Sequence, residues 1–140
     1  MNEEIQIILE TTEKVLQKNI NHQLRQNINK NNNDLINLWD ELEELGLPKI
    51  AVKEKFGGFN LGFASVLPII QLSNSLGAPI PLSETILCNF ILSECDIKPP
   101  EGMITFANIA KNIKISGNEL SGELISVPFL NLTDKIMFIT

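Results

Sequence analysis

Apolar positions in the first two-thirds of the chain recur at helical spacing, and beyond Pro99-Pro100 they alternate as in strands. Ile5, Ile8, Leu9, Val15, Leu16 and Ile20 share one helical face, with Glu3 and Glu4 at the positive end of the helix dipole. The spacing predicts a helix over 5–20 that is apolar on one side only, and so lies on the outside of a bundle. An Asn-rich connection, N-I-N-K-N-N-N-D, follows over 27–34. Asp34 is placed to cap a second helix carrying Leu35, Leu38, Trp39, Leu42 and Leu45, with Gly46 as its left-handed stop and Pro48 barring its resumption.

From Leu61 to Leu76 the chain is apolar nearly all round, which implies burial. Pro68 would cost roughly 3 kcal/mol inside a helix. A start at Ser65 puts that proline in the first turn, where its missing N–H has no partner to lose; the alternative is a kinked helix from near Gly62. Gly77 ends this helix. Pro79 and Pro81 stiffen a short link, Ser83 caps a fourth helix to about Glu94, and Ile86, Leu87, Phe90 and Ile91 face inward. Strands are expected at Met103 to Ala107, at Ile113 and Ile115, and at Leu120 to Val127 after a Ser116-Gly117-Asn118 turn. Lys135 to Thr140 is a further candidate. The fold class is therefore α+β: a bundle of about four helices over 1–98, then a few antiparallel strands of an incomplete β-domain over 101–140.

Composition narrows the functional classes. With 140 residues, 44% of them hydrophobic and 20% charged, the chain can bury one core, or a small core with an appendage. A net charge of −6 argues against nucleic acid, whose binding draws most of its strength from a basic stripe. M-N-E-E-I-Q lacks the cationic start of a signal peptide, and Ser, Asn and Pro interrupt the longest apolar region, so no membrane span is expected and the cytoplasm is the default location. Cys88 and Cys95 lie seven positions apart on one helix, beyond disulfide reach, and read as small buried apolar groups. His22 has no companion at ligand spacing, so no metal site is expected. Trp39 reads as a packing residue, Gly57-Gly58 as a tight turn needing positive φ, and Glu54 as a solvated partner of Lys53 and Lys55.

The order L-W-D-E-L-E-E-L-G-L-P-K-I-A-V-K-E-K-F-G-G from Leu38 to Gly58, followed by S-L-G-A-P-I-P from Ser75 to Pro81, resembles the N-terminal helical domain of acyl-CoA dehydrogenases. There a W-x-x-L-x-x-L-G-L helix leads into a V-P-E-x-x-G-G turn, and L-G-x-x-P-x-P ends the next helix. Lys53 stands here in place of the family proline, and Lys55 where an acid is commoner. Asn118 to Gly122 and Thr133-Asp134 resemble the family's G-x-x-L-x-G turn and A-D strand start. The flavin-contacting T-E-P-x-x-G-S-D segment is replaced by M-I-T-F-A-N-I-A-K-N-I.

The resemblance implies FAD as cofactor, an acyl-CoA substrate, and removal of two hydrogens across its α–β bond by a carboxylate base and the flavin. In the family that carboxylate lies in a C-terminal helical domain, so no catalytic residue is expected in this chain, and the polypeptide alone is expected not to turn over. A second acyl-CoA dehydrogenase-type subunit is the implied partner, as for the divergent, shortened members found beside more complete ones, sterol-degrading enzymes included. Carried over by position, Thr85, Cys88 and Asn89 become substrate-binding candidates, and Phe106, Ala107 and Asn108 cofactor-binding candidates. The bland reading puts Asn89 outward and Thr85 in the first turn. A noncatalytic helical interaction module and a truncated reading frame are the competing expectations.

Overall fold

The computed structural model describes residues 3–28 and 30–139; Asn29 of the Asn-rich connection and Thr140 of the last strand candidate lie outside it. Among the described residues five α-helices are followed by four short strands, an α+β arrangement. The helices are α1 (Glu3–Asn19), α2 (His22–Asn27), α3 (Asn33–Glu44), α4 (Phe63–Ser75) and α5 (Leu82–Glu94), and two 3-10 turns occupy Leu47–Lys49 and Glu54–Phe56. Leu16, Leu35, Leu38, Trp39, Leu42, Ile69 and Ile86 form the centre of one core, on which Ile8, Leu9 and Val15 of α1 are half-buried. This is the one-sided first helix that the periodicity implies.

Helix α2 has no counterpart among the sequence expectations. It is six residues long and buries Leu24 alone, too short for a periodic signal. Its start rests on Asn21, whose Oδ1 accepts from the Leu24 N–H at 2.9 Å. Asp34 does not cap α3: the N-cap is Asn32, without a side-chain bond, and Asp34 sits in the first turn, where its charge still faces the positive end of the dipole. Gly46 ends that helix at φ 72. A Cβ there would meet the tip of the half-exposed Phe59 ring, which can swing aside, so it is the positive φ that calls for glycine.

The start of α4 follows the alternative reading. Gly62 is the N-cap and Pro68 lies in the helix interior. Beginning at Phe63 buries Val66 and Ile69 completely and stacks Phe63 on Phe90 with ring centroids 5.0 Å apart. Ala64, whose carbonyl would have received the N–H that Pro68 lacks, is exposed, so water can serve it. Burial outweighs the proline. Ser83 is likewise not a cap: Pro81 precedes α5 at that point, and the Ser83 hydroxyl donates to Asn74 Oδ1 at 3.1 Å.

Gly57 carries the positive φ expected of the glycine pair, at 83, while Gly58 does not. Gly58 is needed for a different reason: a Cβ there would clash with the Val52 carbonyl and stand 2.6 Å from that of Lys49. Lys53 and Lys55 turn away from Glu54 to the end of α5. Lys53 Nζ lies 3.5 Å from Glu94 and 3.7 Å from Asp96, and Lys55 Nζ 2.5 Å from Asp96. The backbone N–H of Lys53 also donates to Ser93 Oγ at 3.0 Å, a bond that the family proline could not make.

The strands are β1 (Thr105–Phe106), β2 (Ile109–Ser116), β3 (Glu119–Ile125) and β4 (Ile136–Met137). β2 and β3 form an antiparallel hairpin around Gly117-Asn118, as the turn signal implies, whereas β1 and β4 pair in parallel. Ile104 is buried, and Met103 and Leu132 pack on the helical core, so β1 and β4 are seated against the bundle. The hairpin is amphipathic. Cross-strand register places Ala110, Ile113, Ile115, Leu120 and Leu124 on one face with Gly122, and Lys111, Lys114, Glu119 and Glu123 on the other, where Ile109 and Ile125 pair at the end away from the turn. Its apolar face is poorly covered: Ile115 is 76% exposed and Leu120 54%.

Candidate functional site

Helix α5 has two inward faces with different roles. Thr85, Cys88 and Asn89 sit on one, all buried. The Thr85 hydroxyl donates to the Ile104 carbonyl at 2.9 Å and accepts from the Ile104 N–H at 3.1 Å. Asn89 is buried, against the outward placement: its Nδ2 donates to the Pro48 carbonyl at 2.9 Å, tying α5 to the 3-10 turn after α3. Its Oδ1 and the Trp39 indole nitrogen are buried without a hydrogen-bond partner among the described residues. Burial first, and the nearby Glu84 charge second, push the Cys88 thiol up to about 12. Cys95, expected buried, is exposed, because α5 ends at Glu94 and leaves it as the cap residue.

Leu87 and Ile91 project from the other side of α5, one turn apart. They form one wall of an open cleft of about 230 Å³, completed by Phe106, Ala107 and Asn108 after β1 and by Met137, Phe138 and Ile139 of the last segment. Pairing of β1 with β4 sets the far wall: Phe106 lies beside Met137, the Thr105 N–H reaches the Lys135 carbonyl at 3.1 Å, and the Ala107 N–H reaches that of Met137 at 2.9 Å. The cofactor-binding candidates Phe106, Ala107 and Asn108 thus lie together in this cleft. The substrate-binding candidates Thr85, Cys88 and Asn89 lie behind it, on the core face of the same helix. Sequence reasoning did not single out Leu87 and Ile91 as site residues, although their spacing of four on one helix was available. The contribution of Met137 to Ile139 depends on pairing across some thirty residues and has no local signal.

Among the described residues that line the cleft none is ionisable, and Asn108 is the one polar side chain. The arrangement suits hydrocarbon or the edge of an aromatic ring. A larger cleft of about 340 Å³ borders Glu43, Glu44, Lys49 and Glu101. Its lysine is neutralised by Glu101 at 2.6 Å, which holds that carboxyl below its ordinary range, and Glu43 accepts from the Gly102 N–H at 3.2 Å. Such a surface repels an anionic coenzyme. At the end of α5, the hydrogen bond from Lys55 holds the Asp96 carboxyl low, with help from Lys53.

The family model described as acyl-CoA dehydrogenase, N-terminal domain, matches residues 2–93. The chain belongs to the acyl-CoA dehydrogenase family. The matched region runs from α1 nearly to the end of α5 and includes the Leu87 and Ile91 wall. No curated protein and no solved structure gives a match. Acyl-CoA dehydrogenases as a family are FAD-dependent. FAD would need cationic or backbone donors for its diphosphate. The described residues of the cleft supply no cationic side chain, and the Ala107 N–H is already bonded to the Met137 carbonyl. The lining fits a ring edge or an acyl chain and does not fit the whole dinucleotide. Among the described residues no group of three or more His, Cys, Asp and Glu could hold a metal, and no helix is long and apolar enough to cross a membrane.

Proposed function

We propose that this chain is a component of an FAD-dependent acyl-CoA dehydrogenase acting on the CH–CH bond of acyl-CoA thioesters, and that it supplies an apolar wall for the acyl chain. The observation that carries the reading is the cleft in which Leu87 and Ile91 of the family-matched helix meet Phe106, Ala107 and Asn108. Burying hydrocarbon there contributes about 0.8 kcal/mol per methylene removed from water. With no ionisable side chain in the lining, the proton-abstracting base and the diphosphate site come from another acyl-CoA dehydrogenase-type subunit. The flavin, once held there, would accept hydride. This chain's residues exclude water and orient the acyl carbons, and Thr85, Cys88 and Asn89 back the wall from the core.

Co-purification with the product of the adjacent gene, a visible spectrum and a decanoyl-CoA titration test this. Flavin bands that bleach on adding decanoyl-CoA, and bleach less with Leu87→Asp in this chain, are the expected result. Bleaching by the isolated polypeptide with added FAD, or no effect of Leu87→Asp in a folded complex, would overturn it.

A second reading, a noncatalytic interaction module, is favoured by the uncovered apolar face of the hairpin at Ile115 and Leu120. A stable complex without flavin bands and without decanoyl-CoA binding would select it.

A further inference from the structure

We infer that Thr85 is a positioning residue that sets the width of the cleft through β1, acting on the ligand at one remove. Its side chain is fully buried, and its one hydroxyl satisfies both backbone groups of Ile104, donating to the carbonyl and accepting from the N–H. A neighbouring strand would ordinarily satisfy such groups. Here β4 occupies one side of β1, and a helix side chain serves the residue just before it. Leu87 and Ile91 leave the same helix on the cleft side, so the bonds from Thr85 to Ile104 fix the separation between the two walls. Thr105 adds a second fastening, from its Oγ1 to the Pro128 carbonyl at 2.8 Å.

Without the Thr85 hydroxyl, two buried backbone groups of Ile104 lose their partner together. Ile104 is only 5% exposed, so water cannot replace it while β1 stays in place. The strand must then loosen from α5, and the cleft opens. Asn89, one turn further along the same buried face, bonds Pro48 and takes no part in the Thr85–Ile104 hydrogen bonds. It is the matched control.

The inference rests on the acyl-site reading only for its effect on ligand, and its first readout is independent of that reading. In the full chain, amide hydrogen exchange at Thr105 and Ala107 reports the two β1–β4 bonds. Thr85→Val keeps the shape and removes the hydroxyl; it should speed exchange at both amides at least about tenfold relative to the α3 amides of Leu38 and Leu42. Thr85→Ser should restore wild-type rates within about twofold, because it returns the hydroxyl. Asn89→Leu should leave the two amides at wild-type rates relative to α3. Unchanged exchange in Thr85→Val, uniform acceleration throughout the chain, or failure of serine to rescue would each overturn the inference. Should the valine variant not fold, Thr85→Ala removes the same hydroxyl with less bulk and carries the comparison. Decanoyl-CoA binding is then measured on the same variants in complex with the product of the adjacent gene, and should weaken with valine and recover with serine. If the wild-type complex does not bind decanoyl-CoA while the exchange pattern holds, the acyl-site reading fails and the positioning role stands.

Discussion

Returning Lys53 to the proline of the family motif isolates one bond of this chain. Lys53 has φ −58, within the range that a proline ring imposes, so the ring itself fits at residue 53. The substitution removes the N–H that reaches Ser93 Oγ at 3.0 Å. Ser93 is fully buried, and a buried hydroxyl deprived of its donor costs about 1–3 kcal/mol. The ion pairs to Glu94 and Asp96 involve partners more than half exposed, where solvent screening leaves them little stabilising effect. Proline offsets about 0.4–1 kcal/mol of this by restricting the unfolded chain. Lys53→Pro should therefore destabilise by about 1–2 kcal/mol. Lys53→Ala, which keeps the N–H, should cost under about 1 kcal/mol. Ser93→Ala strands the Lys53 N–H and should cost about 1 kcal/mol or more. In the Lys53→Pro/Ser93→Ala double variant donor and acceptor vanish together, so the proline should cost at least about 1 kcal/mol less there than in the parent. Urea unfolding followed by the fluorescence of Trp39, the single tryptophan, reads the parent and all four variants. Any backbone effect of proline on Val52 is common to both proline variants and cancels in the cycle. Equal proline costs in the two backgrounds would show that the Lys53–Ser93 bond carries no coupling, and would refute the reasoning.

Three further outcomes are expected. In the native protein a thiol reagent at pH 8 should modify exposed Cys95 quickly and reach Cys88 only after unfolding, since the Cys88 thiol is buried and held near 12; two fast thiols would contradict the placement of α5. Burial holds the Glu84 carboxyl above its ordinary value, so its charged form penalises the fold: the penalty is absent in acid below the unfolded-state value and complete above the folded-state one. Glu84→Gln should accordingly raise the urea midpoint at pH 7 and leave it unchanged at pH 3. Gly58→Ala should destabilise by about 1–3 kcal/mol through contact with Val52 and Lys49, and Gly57→Ala by roughly 1 kcal/mol through its positive φ alone, in open space; a reversed order in thermal melts would contradict the turn geometry.

What the sequence disclosed and what it withheld divide by range. The Trp39 helix was legible because Leu35, Leu38, Trp39 and Leu42 repeat at helical spacing and Gly46 closes them, all within twelve residues. The hairpin was legible because Gly117-Asn118 sits between alternating segments. Pro68 misled, since its local penalty is visible and the burial of Val66 and Ile69 that outweighs it depends on other helices. Asn89 misled for the same reason: a polar residue on an apolar helix reads as outward until Pro48 offers a carbonyl from forty-one positions away. Likeness to the family brought Phe106, Ala107 and Asn108 to attention; Met137 to Ile139 join them only through a parallel pairing with no neighbouring signal.

The polar face of the hairpin is divided by sign. Lys111 and Lys114 belong to β2, and Glu119 and Glu123 to β3. Two ribbons meeting about a two-fold axis along matching rims would set lysine against lysine or glutamate against glutamate, an arrangement that charge opposes. A head-to-tail approach, basic rim to acidic rim, is attractive along the edges, and so is a two-fold stack of the polar faces that lays β2 of one copy over β3 of the other. The division by sign therefore opposes the joining of like rims and favours contacts that bring unlike rims together. Added salt should erode the distinction.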